Sequence, residues 1–306
     1  MILVWGGRCD SPATRVYEAL LARGAPALWL DANGLDAVEA DFVFGSRVEG
    51  FLSVQGRRFD VGEVTAFYLR PVEPHAPSDA AMRAVDSLLG LAAALDARVI
   101  NRPHFSRANN SKPYQLGLIR AWGLDVPETL VTTDVSAAQA FVESHGTVVY
   151  KSISGIRSIV STLAATDTRL DRVADGPVQL QEHIPGVDVR VHVVGESTFA
   201  CEARSGAADY RYAARQGFDV DLRAIEIPEN VARRIVLMTR AMGLHLAGVD
   251  LRRTPEGRWV CLEVNPSPAF TWYEDATEHR IAAAIAALLH GAQRTEPLEQ
   301  TLRECC

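Results

Sequence analysis

The sequence predicts an α/β fold on three observations. Strands and helices alternate through about the first 105 residues, a shorter alternation follows to about residue 184, and several strands crowd together after Val178. The opening Ile2-Leu3-Val4-Trp5 reads as a buried strand stopped by Gly6-Gly7. Asp10 or Ser11 caps the next helix, whose Val16, Ala19 and Leu20 fall at helical spacing. Ala27 to Leu30 is a second strand. Phe51 to Val54 and Phe59 to Val64, split by Gln55-Gly56-Arg57, read as a hairpin. Ala66 to Leu69, a helix from Asp79 to Leu95 and Val99-Ile100-Asn101 complete the first unit. A polar run, Arg107 to Ser111, precedes a helix ending near Trp122-Gly123. Leu130 to Thr132, a helix from Val135 and Thr147 to Lys151 form the second unit. The crowded stretch from Val178 onward holds strands at Val178 to Glu182, Val187 to Val194, Thr198 to Ala203, Leu246 to Leu251 and Trp259 to Val264. Its helices run from Val231 to Met242 and from Glu278 to Leu289.

Composition narrows the function classes. The 306 residues are 48% hydrophobic and 23% charged, an ordinary globular balance. A formal net charge of −7 argues against broad attraction for nucleic acid. No apolar stretch reaches the ~20 residues of a membrane helix, and the N-terminus shows no secretory signal. The expected location is the cytoplasm, with no membrane partner. The five cysteines (Cys9, Cys201, Cys261, Cys305, Cys306) are odd in number and lack a C-x-x-C pair, so neither a zinc site nor a disulfide framework is indicated.

The most informative stretch runs from Ala247 to Pro266. Alternation puts Val249 and Leu251 on one face and Gly248 and Asp250 on the other. On the second strand Val260, Leu262 and Val264 form the apolar face, and Cys261, Glu263 and Asn265 lie opposite. A turn centred between Glu256 and Gly257 sets Asp250 across from Glu263. Two adjacent carboxylates need a cation, a proton or a basic side chain to compensate them, and Asp, Glu and Asn oxygens suit Mg²⁺. A solvent-facing hairpin with hydrated acids is the rival reading of the pattern.

A strand bearing Asp250, followed by Glu263-Val264-Asn265-Pro266-Ser267-Pro268, resembles the metal-binding end of ATP-grasp enzymes. Within them the chain is most similar to the group around the ribosomal-protein glutamate ligase RimK, and to its graspetide (microviridin-type) members, which cyclise precursor peptides. The resemblance implies an N-terminal α/β preATP-grasp domain over residues 1–105, a small central α/β subdomain over 106–184 and a C-terminal antiparallel-sheet subdomain over 185–292. It places ATP between the latter two and leaves 293–306 as a flexible tail. It further implies Mg²⁺ at Asp250, Glu263 and Asn265, and phosphate contacts from Lys112 and Lys151. The adenine would meet the hinge Gln181-Glu182-His183-Ile184, and the ribose Asp188. Arg190 shares the face of Asp188 and His192 by alternation, and His192 reads as an exposed residue. Arg190, Arg204 and Arg211 take catalytic roles on a carboxylate or acyl phosphate, and Arg70, Asp209 and Tyr210 lie on the substrate side.

One departure concerns the loop expected over the phosphates. Ser152-Ile153-Ser154-Gly155-Ile156-Arg157-Ser158 holds a single glycine where many ATP-grasp enzymes are glycine-rich, so serine hydroxyls and Arg157 stand in for backbone donors. The implied chemistry is ADP-forming: a carboxylate takes the γ-phosphoryl group of ATP, and a hydroxyl or amine then displaces phosphate to give an ester or amide. A precursor peptide is the expected substrate and a homodimer the expected assembly. A ligase joining an amino acid or small acid to an amine, an ATP-grasp small-molecule kinase and a silent nucleotide-binding module remain as alternatives.

Overall fold

The computed structural model describes residues 1–71, 78–151, 161–164, 167–207 and 210–292. The loop Ser152–Ser158, Asp209 and the tail with Cys305 and Cys306 lie outside the described residues.

The first unit runs β1 (Ile2–Gly6), α1 (Ser11–Ala22), β2 (Ala27–Asp31), β3 (Glu39–Phe44), β4 (Val48–Val54), β5 (Arg57–Asp60), β6 (Ala66–Leu69), α2 (Asp79–Ala94) and β7 (Arg98–Ile100). Its parallel sheet has the order β2-β1-β6-β7, and a separate antiparallel sheet has the order β3-β4-β5. Every residue of β1 and β6 is buried, as expected of parallel strands covered on both faces. The expected cap of α1 is replaced. Asp10 sits at the N-cap position without a capping bond, and its carboxylate instead accepts from Arg70 Nε at 2.6 Å. The strand read as Phe59 to Val64 stops at Asp60, whose side chain begins a 3₁₀ turn at Val61–Glu63 with a capping box.

The second unit holds α3 (Lys112–Ala121), β8 (Thr129–Thr132), α4 (Val135–His145), β9 (Thr147–Lys151), β10 (Ser161–Ala164) and β11 (Val178–Glu182), with sheet order β10-β9-β11-β8. Asp134 caps α4 by accepting from the Ser136 and Ala137 amides. The third unit holds β12 (Val187–Val194), β13 (Ser197–Ser205), β14 (Val220–Ile225), α5 (Glu229–Ala241), β15 (Leu246–Arg253), β16 (Trp259–Asn265), α6 (Thr271–Thr277) and α7 (Ile281–His290). Its antiparallel sheet has the order β14-β13-β12-β15-β16. The final helix begins at Ile281 rather than Glu278, because Glu278 adopts a left-handed φ of 57° that ends α6.

Three joints position the site. Val189, Val191, Val193, Val249 and Leu251 on the five-stranded sheet pack against Ile235 and Met238 of α5 and Leu116 and Ile119 of α3. The outer edge of β16 is covered rather than open. Gln115 on α3 donates to the Val264 carbonyl at 2.7 Å and accepts from the Val264 amide at 2.9 Å, and the Cys261 amide donates to Asp125 O at 2.7 Å. Asn101, just beyond β7, is buried. Its Nδ2 donates to Leu246 O and Pro266 O, and its Oδ1 accepts from the His245 and Leu246 amides.

Candidate active site

The acidic hairpin forms with Asp250 directly opposite Glu263, but not by simple alternation. Near the turn Arg253 pairs with Trp259 and Leu251 with Cys261, and a β-bulge then lets Asp250 reach Glu263. Leu262 is the extra residue. The bulge corrects one expectation: Cys261 does not share the acidic face. It is fully buried in the core with Val264, and burial pushes its thiol pKa up. Leu262, read as part of the apolar face, lines the cavity beside Glu263.

That cavity, about 350 Å³, lies between the four-stranded sheet of the second unit (β10-β9-β11-β8) and the five-stranded sheet. Val149, Lys151, Thr162 and Gln181 come from one wall, and Asp188, Arg204, Asp250 and Glu263 from the other. Glu182, His183 and Ile184, at the crossing between the walls, also line it, as do Tyr210 and Arg211. Of the residues singled out in the sequence, Lys112, Arg190, Asn265 and Arg70 stand behind or beside this lining.

Each carboxylate is compensated. Lys112, buried at the start of α3, gives Nζ to Glu263 Oε1 at 2.8 Å. Arg190 Nη1 meets Asp250 Oδ1 at 2.5 Å, and Arg211 Nη1 stands 3.7 Å from Asp250 Oδ2. Burial would raise the Asp250 pKa, but Arg190 and Arg211 outweigh it and hold the carboxyl below its ordinary value. Arg190 is 4% exposed, and Asp250 likewise overcomes its burial and keeps the guanidinium charged. Gly248 makes this possible. A Cβ there would sit 2.2 Å from Arg190 Nη2, so only glycine leaves the guanidinium its place.

His192 overturns its expected exposure. It is fully buried, its Nε2 lies 3.4 Å from Arg190 Nε, and its ring meets Tyr273 edge-on. Burial, reinforced by Arg190, pushes its pKa well below the ordinary value, so the imidazole is neutral and accepts from the arginine. Tyr273 also presents its ring to Arg190 and shares a hydrogen bond of 2.8 Å with Tyr210.

On the facing wall, Lys151 Nζ donates to Gln181 Oε1 at 2.7 Å, and Gln181 Nε2 donates to Thr129 Oγ1 at 3.1 Å. Burial lowers the Lys151 pKa to about 8. Asp188 pairs with Arg252 at 2.8 Å. Arg204 Nε is held by Glu202 at 2.6 Å, and Glu202 also binds Arg253. Arg70 Nη1 reaches Ser267 Oγ at 3.1 Å and Pro268 O at 3.0 Å, tying the first unit to the rim beyond Asn265. Asn265 Oδ1 accepts from the Ser267 amide at 2.9 Å.

The donor set fits Mg²⁺ of one kind. Among the described residues no three His, Cys, Asp or Glu side chains gather into a self-sufficient metal site. Two paired carboxylates beside Lys112, Lys151, Arg190 and Arg211 suit an ion held partly by the phosphates of a nucleotide, which is the usual mode of Mg²⁺.

A family model described as a RimK-like ATP-grasp domain matches residues 109–289. The chain belongs to the RimK-like ATP-grasp family. A probable alpha-L-glutamate ligase of Photobacterium profundum is 28% identical over 288 residues, covering 89% of this chain and 88% of that one. The ATP-grasp ligase PsnB, solved with minimal precursor, Mg and ADP, superposes with a TM-score of 0.74 at 27% identity, covering 94% of this chain and 96% of that one. The macrocyclase MdnC of Microcystis aeruginosa MRC, solved with precursor peptide MdnA, gives a TM-score of 0.79 at 23% identity, covering 94% and 98%, and supports the fold. As an ATP-grasp ligase this chain uses ATP and Mg²⁺ and forms ADP. Among the described residues, no helix is long and apolar enough to cross a membrane.

Leu262, Arg252, Gly248 and Tyr273 are not legible as site residues in the sequence. A signal exists for Gly248, the small residue two before the acid on the same strand face. The bulge that exposes Leu262 has none.

Proposed function

We propose that the chain cyclises a ribosomally made precursor peptide, joining side-chain carboxylates to side-chain hydroxyls or amines as esters or amides. The observation that carries this is the cavity's charge pattern, with two compensated carboxylates faced by a lysine and with Arg204 and Arg211 in the lining. The likeness to PsnB, solved with minimal precursor, Mg and ADP, supports the peptide as substrate.

In the first step a carboxylate oxygen of the peptide attacks the γ-phosphorus of ATP, the bond to the bridging oxygen breaks, and ADP leaves an acyl phosphate behind. In the second, a hydroxyl or amine attacks the acyl carbon, loses its proton and expels phosphate. The adenine lies along Gln181-Glu182-His183-Ile184 and the ribose on Asp188. Lys112 and Lys151 neutralise phosphate oxygens; Asp250, Glu263 and Asn265 would hold Mg²⁺, which would supply positive charge to offset that of the phosphates. Arg211 and Arg204 orient the peptide carboxylate, with Arg190 fixing Asp250. Arg70 and Tyr210 serve the substrate side. The protein works as a cytoplasmic homodimer without nucleic acid or membrane.

Mass spectrometry of a precursor encoded beside the gene, after incubation with enzyme, ATP and Mg²⁺, should show successive losses of water with ADP and phosphate as co-products. The resemblance to glutamate ligases favours one second reading, addition of an amino acid to an amine, which would register as a gain in mass. A stable phosphorylated product would replace both readings with a kinase.

A further inference from the structure

Arg252 belongs to no sequence motif, yet it links the two parts of the proposed nucleoside site. It lies on β15 directly across from Asp188 on β12. Its Nη2 meets Asp188 Oδ1 at 2.8 Å, and its Nη1 donates to the Ile184 carbonyl at 3.3 Å. Both charged side chains are largely buried, at 18% and 22% exposure, and both residues line the cavity. Arg252 Nε is buried without a partner among the described residues, so the guanidinium is held by these two contacts rather than by a closed network. A planar fork can hold a carboxylate and a carbonyl at once in a fixed relation, which a flexible ammonium does not do.

We propose that Arg252 is a positioning residue of the nucleotide site, which orients the Asp188 carboxylate toward the ribose hydroxyls and ties it to the Ile184 carbonyl of the adenine hinge. The inference rests on the reading of Asp188 as the ribose acid. Arg252 acts on the sugar hydroxyls through Asp188 and on neither the phosphates nor the peptide. Most of its effect is therefore lost when the nucleotide lacks those hydroxyls.

Calorimetric titration of the full chain with Mg-ADP and with Mg-2′,3′-dideoxy-ADP, without peptide, reads this directly. Arg252→Met should weaken ADP binding about tenfold, the cost of misaligning the Asp188 carboxylate that accepts from the ribose hydroxyls, and the dideoxy nucleotide by less than about threefold. In an Asp188→Asn background the same change should cost less than about threefold for either nucleotide, because the two residues act as one unit. Arg252→Lys keeps the charge without the fork and should recover less than half of the loss, in logarithmic terms; it also serves if the methionine variant melts early. Equal losses for the two nucleotides, or additive losses in the double variant, would overturn the proposal. If Asp188→Asn leaves the ratio of the two affinities unchanged, the ribose reading falls and this proposal with it. Because no peptide is present, none of these outcomes depends on whether the chain cyclises one.

Discussion

On the five-stranded wall of the cavity Asp250 and Glu263 each already lean on a cation, whereas on the four-stranded wall Lys151 donates to the neutral amide oxygen of Gln181. The first wall is finished before any nucleotide arrives. Its charges are paired, its arginine is seated over Gly248, and its edge is sealed by Gln115 and Asp125. The second holds a desolvated ammonium whose pKa has dropped to about 8, and an anionic phosphate is what would restore it. The difference teaches a division of labour. On the proposed function, the five-stranded wall would set the geometry of the reaction and the facing wall would respond to the nucleotide.

The sharpest way to break that division is to remove the charges of the finished wall. Asp250→Asn with Glu263→Gln should cut Mg²⁺-dependent turnover by more than about a thousandfold, while circular dichroism shows a folded protein. Turnover near the parent rate would remove the hairpin from the chemistry. Next in size is Gly248→Ala. Its added methyl displaces Arg190, and misplacing the group that holds Asp250 should lower kcat about a hundredfold with a smaller change in the KM for ATP. A variant altered in KM alone would show that Arg190 serves ground-state binding instead.

On the responding wall the expected effects are smaller and depend on pH. Free Lys151 is charged below about pH 8 and neutral above it, and bound phosphate favours the charged form. ATP affinity should therefore be full below about pH 8 and fall as pH rises beyond it, by up to about tenfold per unit, with a proton taken up on binding. Lys151→Arg, always charged, should flatten the slope, and a slope unchanged in that variant would assign the titration elsewhere. The smallest effect sharpens the contrast between the two faces of the hairpin itself. Cys261→Ser places a hydroxyl in the core and should lower stability by about 1–3 kcal/mol while leaving the KM for ATP alone. A variant with unchanged melting and raised KM would put residue 261 back on the acidic face.

Much of this is legible in the chain because the relevant signals are local. The turn residues at Thr254 to Gly257 announce a hairpin with one acid on each strand, and the structure pairs Asp250 with Glu263 by way of the bulge. What stays hidden depends on tertiary contacts. The bulge at Leu262 reverses which of Cys261 and Leu262 faces the core, and no composition marks it. His192 is a polar residue on a strand, and only the packing of Phe270 and Tyr273 around it makes it a buried acceptor. The edge strands β14 and β3 escape the sequence for another reason. Their residues are exposed or half-buried, so their hydrophobic pattern is weak, although Val220 and Leu222 do alternate. The short α6 lacks a capping side chain that would announce it.

The four hydrogen bonds of Asn101 carry a consequence for modularity. They reach backbone atoms at the ends of both strands of the acidic hairpin, at His245, Leu246 and Pro266, from a residue that precedes the whole matched ATP-grasp region. Exchanging the first 105 residues for those of a relative would thus replace part of the hairpin's own scaffolding. A chimaera that keeps asparagine at this point inherits the registration, and one that does not must rebuild it before any nucleotide can be read.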